Sequence, residues 1–267
     1  MPNQAFFDRR QVAIALALNF GVFGRASAAS SVINVSGGRP VAEAIDKLEE
    51  KYSLAITYED PPYLRFNEIV DATDADWPGA AIPDQATLER LAQPHGGIYR
   101  RLVPRGSRLT VSLPDGPADR EADLQAIIGA YNSSRGGEVF AIVHGEVMLH
   151  VVPRSTFGAS GALRSVASAL DTAISFEPKR RNGAEVVEEI CAQISGAFGR
   201  NVFQGATAAN ILEQVNFTGG ASGEMARSVL EKVIVKTGRR LSWRLFFSPG
   251  DNQYYLNTYN AAPRIFR

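Results

Sequence analysis

The sequence predicts an α+β protein: two copies of one β-α-β-β-α-β-β module, with helices packed on one face of small mixed sheets. Three observations lead there. Short alternating apolar runs of strand length recur along the chain, interleaved with longer runs whose apolar residues fall three and four apart. Both kinds of run are apolar on one side only, which asks for a layer of helices over a layer of strands. A short phrase is also written twice. INVSGGRPVAEAIDKLEE from Ile33 and VNFTGGASGEMARSVLEK from Val215 align without a gap, with Asn34 on Asn216, Gly37-Gly38 on Gly219-Gly220, Ala44 on Ala226 and Leu48 on Leu230.

Four units follow in order. The first is the strand VINV, a helix from Pro40 to Tyr52, and the strand LAITYE. Pro40 suits a first helical turn, where its missing N–H costs nothing, and Ala44, Ile45, Leu48 and Tyr52 mark one apolar face. The second is LTVSL, a helix over Asp119 to Tyr131, and a hairpin of EVFAIV and VMLHVV turning at His144-Gly145-Glu146, with Gly136-Gly137 ending the helix. The third is AISFE, a helix over Ala184 to Ala197, and NVFQ. The fourth is VNFTGG, a helix over Gly223 to Lys236, and a hairpin of LSWRLFF and QYYLNTY turning at Pro249-Gly250-Asp251-Asn252. In LSWRLFF, Leu241, Trp243, Leu245 and Phe247 share one face, with Ser242 and Arg244 on the other.

Units one and two make the first copy, residues 31–153, and units three and four the second, residues 171–260. Residues 154–170, rich in Ser, Gly and Ala, read as a linker or short helix. The first copy carries an insertion over about residues 60–108. The repeated Gly-Gly falls at a strand-to-helix turn and fits no phosphate loop: the Lys-Ser/Thr of a P-loop is missing, and so is the third glycine of a dinucleotide fingerprint. It reads as a turn needing positive φ and close helix packing.

Composition sets bounds on function. The 267 residues are 45% hydrophobic and 21% charged, enough for a real core. With 28 basic and 28 acidic residues the net charge is zero, which argues against nucleic acid or an anionic membrane held by bulk charge. At the N-terminus Arg9-Arg10, the apolar run Val12 to Phe23 and Ala26-Ser27-Ala28 form a secretory signal over residues 1–28. This implies a periplasmic or secreted protein. The paired arginines leave both the Sec and the twin-arginine routes open. No later stretch approaches the length of a transmembrane helix. The single cysteine, Cys191, shares a helical face with Val187 and Ile194 and reads as a buried small hydrophobe.

The pattern of strand, small-residue turn, x-Ala-x-x-x-Leu helix and apolar strand resembles the short N-terminal domain of secretins and TonB-dependent receptors. It is carried by GGRPVAEAIDKLEEKYSLAITYED in the first copy, and by FTGGASGEMARSVLEKVIVKTGRRLSWRLFF with YYLNTY in the second. The resemblance implies a βαβ-βαββ periplasmic module that recognises other proteins and has no catalytic residues to carry over. No barrel or pore domain follows the module here, so only the fold and a binding role transfer.

Specific chemistry, if any, belongs to the insertion. Its first part holds Glu59, Asp60, Glu68, Asp71, Asp74 and Asp76 against the single Arg65; its last part holds Arg100, Arg101, Arg105 and Arg108. Tyr63, Phe66, Trp77 and Tyr99 are interleaved. The simplest expectation is that the acidic and basic ends pair with each other while the aromatics pin the loop. The functional expectation is a binding surface made by Tyr63, Trp77, Tyr99, Arg100, Arg101, Asp74 and Asp76, since long loops on a rigid scaffold often carry function. Asp71, Asp74 and Asp76 lack the glycine and terminal Glu of a calcium loop. His95, His144 and His150 lack a third ligand for zinc, and no catalytic triad or metalloprotease motif is present.

The sequence thus predicts an exported, non-enzymatic envelope adaptor with no cofactor. Its expected partner is another envelope protein, bound in part by β-strand addition to a sheet edge. The alternative is a small-ligand or glycan-binding protein, or a weak hydrolase, using the insertion.

Overall fold

The computed structural model describes residues 31–72, 101–113, 119–238 and 241–261. The fold is α+β, with helices packed on small mixed and antiparallel sheets. The expected leader, residues 1–28, lies outside the described residues, and no described helix is long and apolar enough to cross a membrane.

In the first half, β1 (Val32–Val35) leads to α1 (Pro40–Tyr52) and β2 (Ile56–Glu59). The insertion follows, entering on β3 (Ile69–Asp71) and returning on β4 (Leu102–Pro104). Then come β5 (Leu109–Ser112), α2 (Arg120–Arg135), β6 (Phe140–His144) and β7 (Leu149–Pro153). The Asp119 side chain caps the N-terminus of α2, and Gly136 at φ 73° closes its C-terminus. β1 pairs antiparallel with β5, forming a small ribbon of its own.

In the second half the order is β10 (Ala173–Asn182), α3 (Gly183–Phe198), β11 (Val202–Gln204), a single turn α4 (Ala209–Leu212), β12 (Asn216–Met225), α5 (Ala226–Lys236), β13 (Leu241–Ser248) and β14 (Gln253–Asn260). Asn182 and Glu185 form a reciprocal capping box on α3. The hairpin turn at residues 249–252 stands as expected, with Asn252 at φ 54°.

Residues 154–170 are more ordered than a linker. They contain the antiparallel pair β8 (Ser155–Phe157) and β9 (Leu163–Ser165) and a 3₁₀ turn at Ala169–Asp171. Gly158 and Gly161 form the tight turn between these strands, and Thr156 and Ser168 are anchored on Pro62 and Glu59.

The halves correspond in a register different from that of the repeated phrase. By element order the counterpart of α1 is α3, not α5. Val41, Ala44, Ile45 and Leu48 match Val187, Ile190, Cys191 and Ile194, all buried, at a constant spacing of 146 positions, as 187 less 41. Leu230 is fully buried too, but on α5, the second helix of its half. The fourth helix also starts three residues later than expected, at Ala226, because residues 219–225 continue β12 along β10. Gly37-Gly38 therefore sits at a turn, where a side chain on Gly38 would come within 2.9 Å of the Pro104 carbonyl. Gly219-Gly220 sits inside a ladder, where a Cβ on Gly220 would meet the Phe176 carbonyl at 2.5 Å beside a bulge in β10. Close backbone approach requires the second glycine of each pair, in two different structures, and none of the four has the positive φ expected of the turn.

The two halves share one six-stranded sheet, ordered β11-β14-β13-β2-β7-β6. Each half supplies three strands in the same left-to-right order. The joint is a parallel pairing of β13 with β2, placing Arg244 beside Tyr58 and Leu245 beside Glu59. Within each half the order and strand directions are the same, but one half is upside down relative to the other. Its helices therefore cover the opposite face. Ile56, Tyr58, Leu149 and Val151 point into a core with α1 and α2. Trp243, Leu245, Phe247, Tyr254 and Leu256 point into a core with α3 and α5.

Polar side chains lock the joint. Ser242 and Arg244, expected on the polar face of their strand, are buried there because α1 of the other half lies over them. The Arg244 guanidinium reaches the Ile56 carbonyl, Asp46 Oδ1 at 2.8 Å and Glu49 Oε2 at 2.7 Å. Burial opposes its charge, and the two carboxylates outweigh burial and keep it protonated. On the opposite face Arg227 pairs with Glu59 and with Asp171. The Glu231 carboxylate accepts the N–H groups of Glu146, Val147 and Met148 in the β6–β7 turn at 3.1, 2.8 and 3.0 Å.

Candidate functional site: the root of the insertion

The insertion grows from the end of β2, and its root is built into the fold. Asp60 is buried and accepts from Tyr58 Oη at 2.7 Å, Tyr63 Oη at 3.1 Å, Arg39 Nε at 2.6 Å and the Phe247 N–H at 3.0 Å. Both tyrosines are pushed well above the ordinary phenol range, first by burial and then by the Asp60 charge, so they act as donors. Arg39 also donates to the Phe247 carbonyl and lies over the Phe246 ring at 4.4 Å.

Beyond this knot the chain makes a 3₁₀ turn at Phe66–Glu68 and enters the β3–β4 ribbon. Glu68 is nine-tenths buried and pairs with Arg135 at the end of α2. Its second oxygen, Oε2, is buried without a hydrogen-bond partner. Burial raises the Glu68 pKa against the pull of Arg135. A cavity of about 110 Å³ opens here, lined by Gly38, Tyr63, Asn67, Glu68, Arg105 and Arg135 among others. Phe66, on the same turn, is 95% exposed. The ribbon closes with the Ala72 N–H on the Arg101 carbonyl at 2.8 Å.

Of the residues expected to form a binding surface, Tyr63 is half-buried and serves the Asp60 knot, and Arg101 closes the ribbon through its carbonyl. Asp74, Asp76, Trp77, Tyr99 and Arg100 lie outside the described residues. Three of the carboxylates expected to pair within the insertion are held from outside it. Glu59, Asp60 and Glu68 take Arg227, Arg39 and Arg135, all from outside the insertion. Sequence reasoning missed Phe66 as an exposed aromatic and Arg39 and Arg135 as partners. An apolar residue between the polar neighbours Arg65 and Asn67 in LRFNE was the available signal for Phe66.

The histidines fall into two unrelated places. His144 is exposed, 3.2 Å from Glu121. His150 is buried, with Nδ1 2.8 Å from Thr57 Oγ1, its ring stacked on Trp243 at 5.3 Å and Nε2 3.7 Å from Glu231. Burial and the nearby Arg227 charge lower its pKa to about 4, so it is neutral at physiological pH. Cys191 is buried, and burial pushes its thiol up to about 12, far from a working thiolate. Among the described residues no three His, Cys, Asp or Glu side chains gather as a metal ion requires.

The fold and site define an α+β protein whose described polar chemistry is largely spent on joining its halves and anchoring one long insertion. No protein-family model, curated protein or solved structure matches the chain.

Proposed function

We propose that the chain is an exported, non-enzymatic binding module of the cell envelope, which captures another protein through the insertion and its root. The observation that carries this reading is Phe66. The phenyl ring is 95% exposed, and it stands on a turn held by the Asp60 knot and the Glu68–Arg135 pair. A rigidly mounted aromatic is the kind of residue that dominates protein interfaces. The element order of each half supports the likeness to the short secretin and TonB-receptor domain, whose role is recognition. The burial of His150 and Cys191, and the pairing of the central carboxylates with arginines, leave them poor candidates for acid–base or nucleophilic work.

A second reading rests on the cavity beside Glu68. Its buried, unpartnered Oε2 is a free acceptor for a small donor ligand. The test for both is capture from envelope extract by the parent chain, by Phe66→Ala and by Glu68→Gln. Loss of a specific protein band with Phe66→Ala alone supports the adaptor. Equal capture by the parent and Phe66→Ala would remove its basis.

A further inference from the structure

The free edges of the shared sheet are copies of the two strands that join in its middle. β11 is the counterpart of β2: each follows the first helix of its half. The Ile56 N–H goes to Glu49 Oε1 at 2.7 Å, and the Val202 N–H goes to Ser195 Oγ at 2.8 Å, with 146 positions again separating each pair. β6 is the counterpart of β13, the first strand of the hairpin after the second helix. Inside the molecule β13 meets β2. At the ends of the sheet, no strand among the described residues pairs with the outer side of β6 or β11.

We propose that β6 of one molecule pairs in parallel with β11 of a second copy, joining the same two kinds of strand as the internal joint and growing an open head-to-tail chain. The register follows from backbone alternation. Asn132 takes the N–H and C=O of Phe140 at 3.0 and 2.8 Å, on the side away from β7. The same groups of Ile142 and His144, at alternate positions, point the same way. On β11, Ser195 takes both main-chain groups of Val202, so those of Gln204 point outward. Gln204 holds the place of Tyr58, which pairs with Arg244. By the hairpin registers the counterpart of Arg244 is Ala141, but a strand there would need the Phe140 groups that Asn132 holds. Gln204 therefore lies two positions on, beside Val143, donating to the Ile142 carbonyl and accepting from the His144 N–H.

An exposed aromatic fits the same joint. Phe203 corresponds to Thr57, one position after Ile56 and Val202. Thr57 is fully buried under the other half, whereas Phe203 is 45% exposed. In the joint between copies α2 of the neighbouring copy, the counterpart of α5, covers Phe203. The two surfaces differ, so the contact is heterologous and does not close on itself. The proposal rests on the same view of the sheet edges as docking surfaces, with a second copy as the occupant.

Proline tests it, because proline at an outward-facing position keeps the fold and removes the donor or blocks the approach. Sedimentation velocity of the full chain should show mass rising with concentration past the dimer. Ile142→Pro and Gln204→Pro, each folded by circular dichroism, should stay monomeric alone. Mixed, they should form a dimer and nothing longer, since one keeps its β11 edge and the other its β6 edge. Phe203→Lys, which leaves the backbone alone, should weaken assembly at least tenfold. A parent chain monomeric at every concentration overturns the proposal, as do proline variants that assemble like the parent or a mixture that stays monomeric. A monomeric parent that still captures an envelope protein through Phe66 overturns self-assembly alone and leaves the adaptor reading standing.

Discussion

His150 sets the acid limit at one residue. Its folded pKa is about 4, below the ordinary 6.5 for an imidazole. At pH below 6.5 the unfolded chain takes up a proton that the folded chain refuses. Its contribution is therefore fully present above pH 6.5, declines as pH falls toward 4 and levels off below. The decline amounts to at most about 3 kcal/mol. His150→Gln keeps an amide in place of the ring and should flatten the stability profile between pH 6.5 and 4, measured by denaturant midpoints. Arg244 is the residue on which the joint depends. Arg244→Met strands the buried Glu49 carboxylate and should cost about 3–5 kcal/mol, read from urea unfolding. Cys191 should resist alkylation in the folded protein and react only once denaturant exposes it.

Among the elements, the insertion divides in two. Residues 60–72 and 101–108 belong to the scaffold through Asp60, Glu68 and the β3–β4 ribbon. Deleting the whole stretch 62–106 would remove Tyr63 and Glu68 and free Arg135 without a partner. Deleting residues 73–100 is different. The cut ends Ala72 and Arg101 are already bonded at 2.8 Å, and loop-closure cost varies slowly with length. A short Gly/Ser turn there should leave the unfolding free energy, from urea titration, within about 1 kcal/mol of the parent. If binding is carried by the insertion, this deletion together with Phe66→Ala should abolish capture.

The molecule as a whole should unfold as one unit. A continuous sheet and the buried pairs of Arg244, Arg227 and Glu231 cross the joint. Leu48→Ala in one half and Leu230→Ala in the other, both fully buried, should each cost about 2–5 kcal/mol. Both should lower the same single thermal transition seen by calorimetry. Two separate transitions would mean that the halves are independent. Residues 31–153 alone should fail to fold, because β2 would become an open edge beside the uncompensated Asp46, Glu49 and Glu59.

By itself the sequence determined the long helices and the strands that flank them, though not β3, β4, β8, β9 or the single turn α4. Pro40, the capping residues Asp119 and Asn182, the glycine stop at Gly136 and the Pro-Gly-Asp-Asn turn are local signals, and each acts through backbone geometry within a few residues. The one-sided periodicity of the helices and strands set the α+β class for the same reason. It also made Cys191 legible as core. The repeated phrase, by contrast, led to the wrong register, because a strand followed by an apolar helix describes α1 and α5 equally well. Only the fold decides which helix is equivalent to which, through the strands that follow it. The joint was equally hidden: main-chain bonds between β13 and β2 have no side-chain signature, and Arg244 reads as a surface residue until α1 covers it. The arginine partners of Glu59, Asp60 and Glu68 lie 21 to 168 positions away in sequence. Such pairings follow from how the two halves stack, one inverted against the other, and no local pattern encodes that choice.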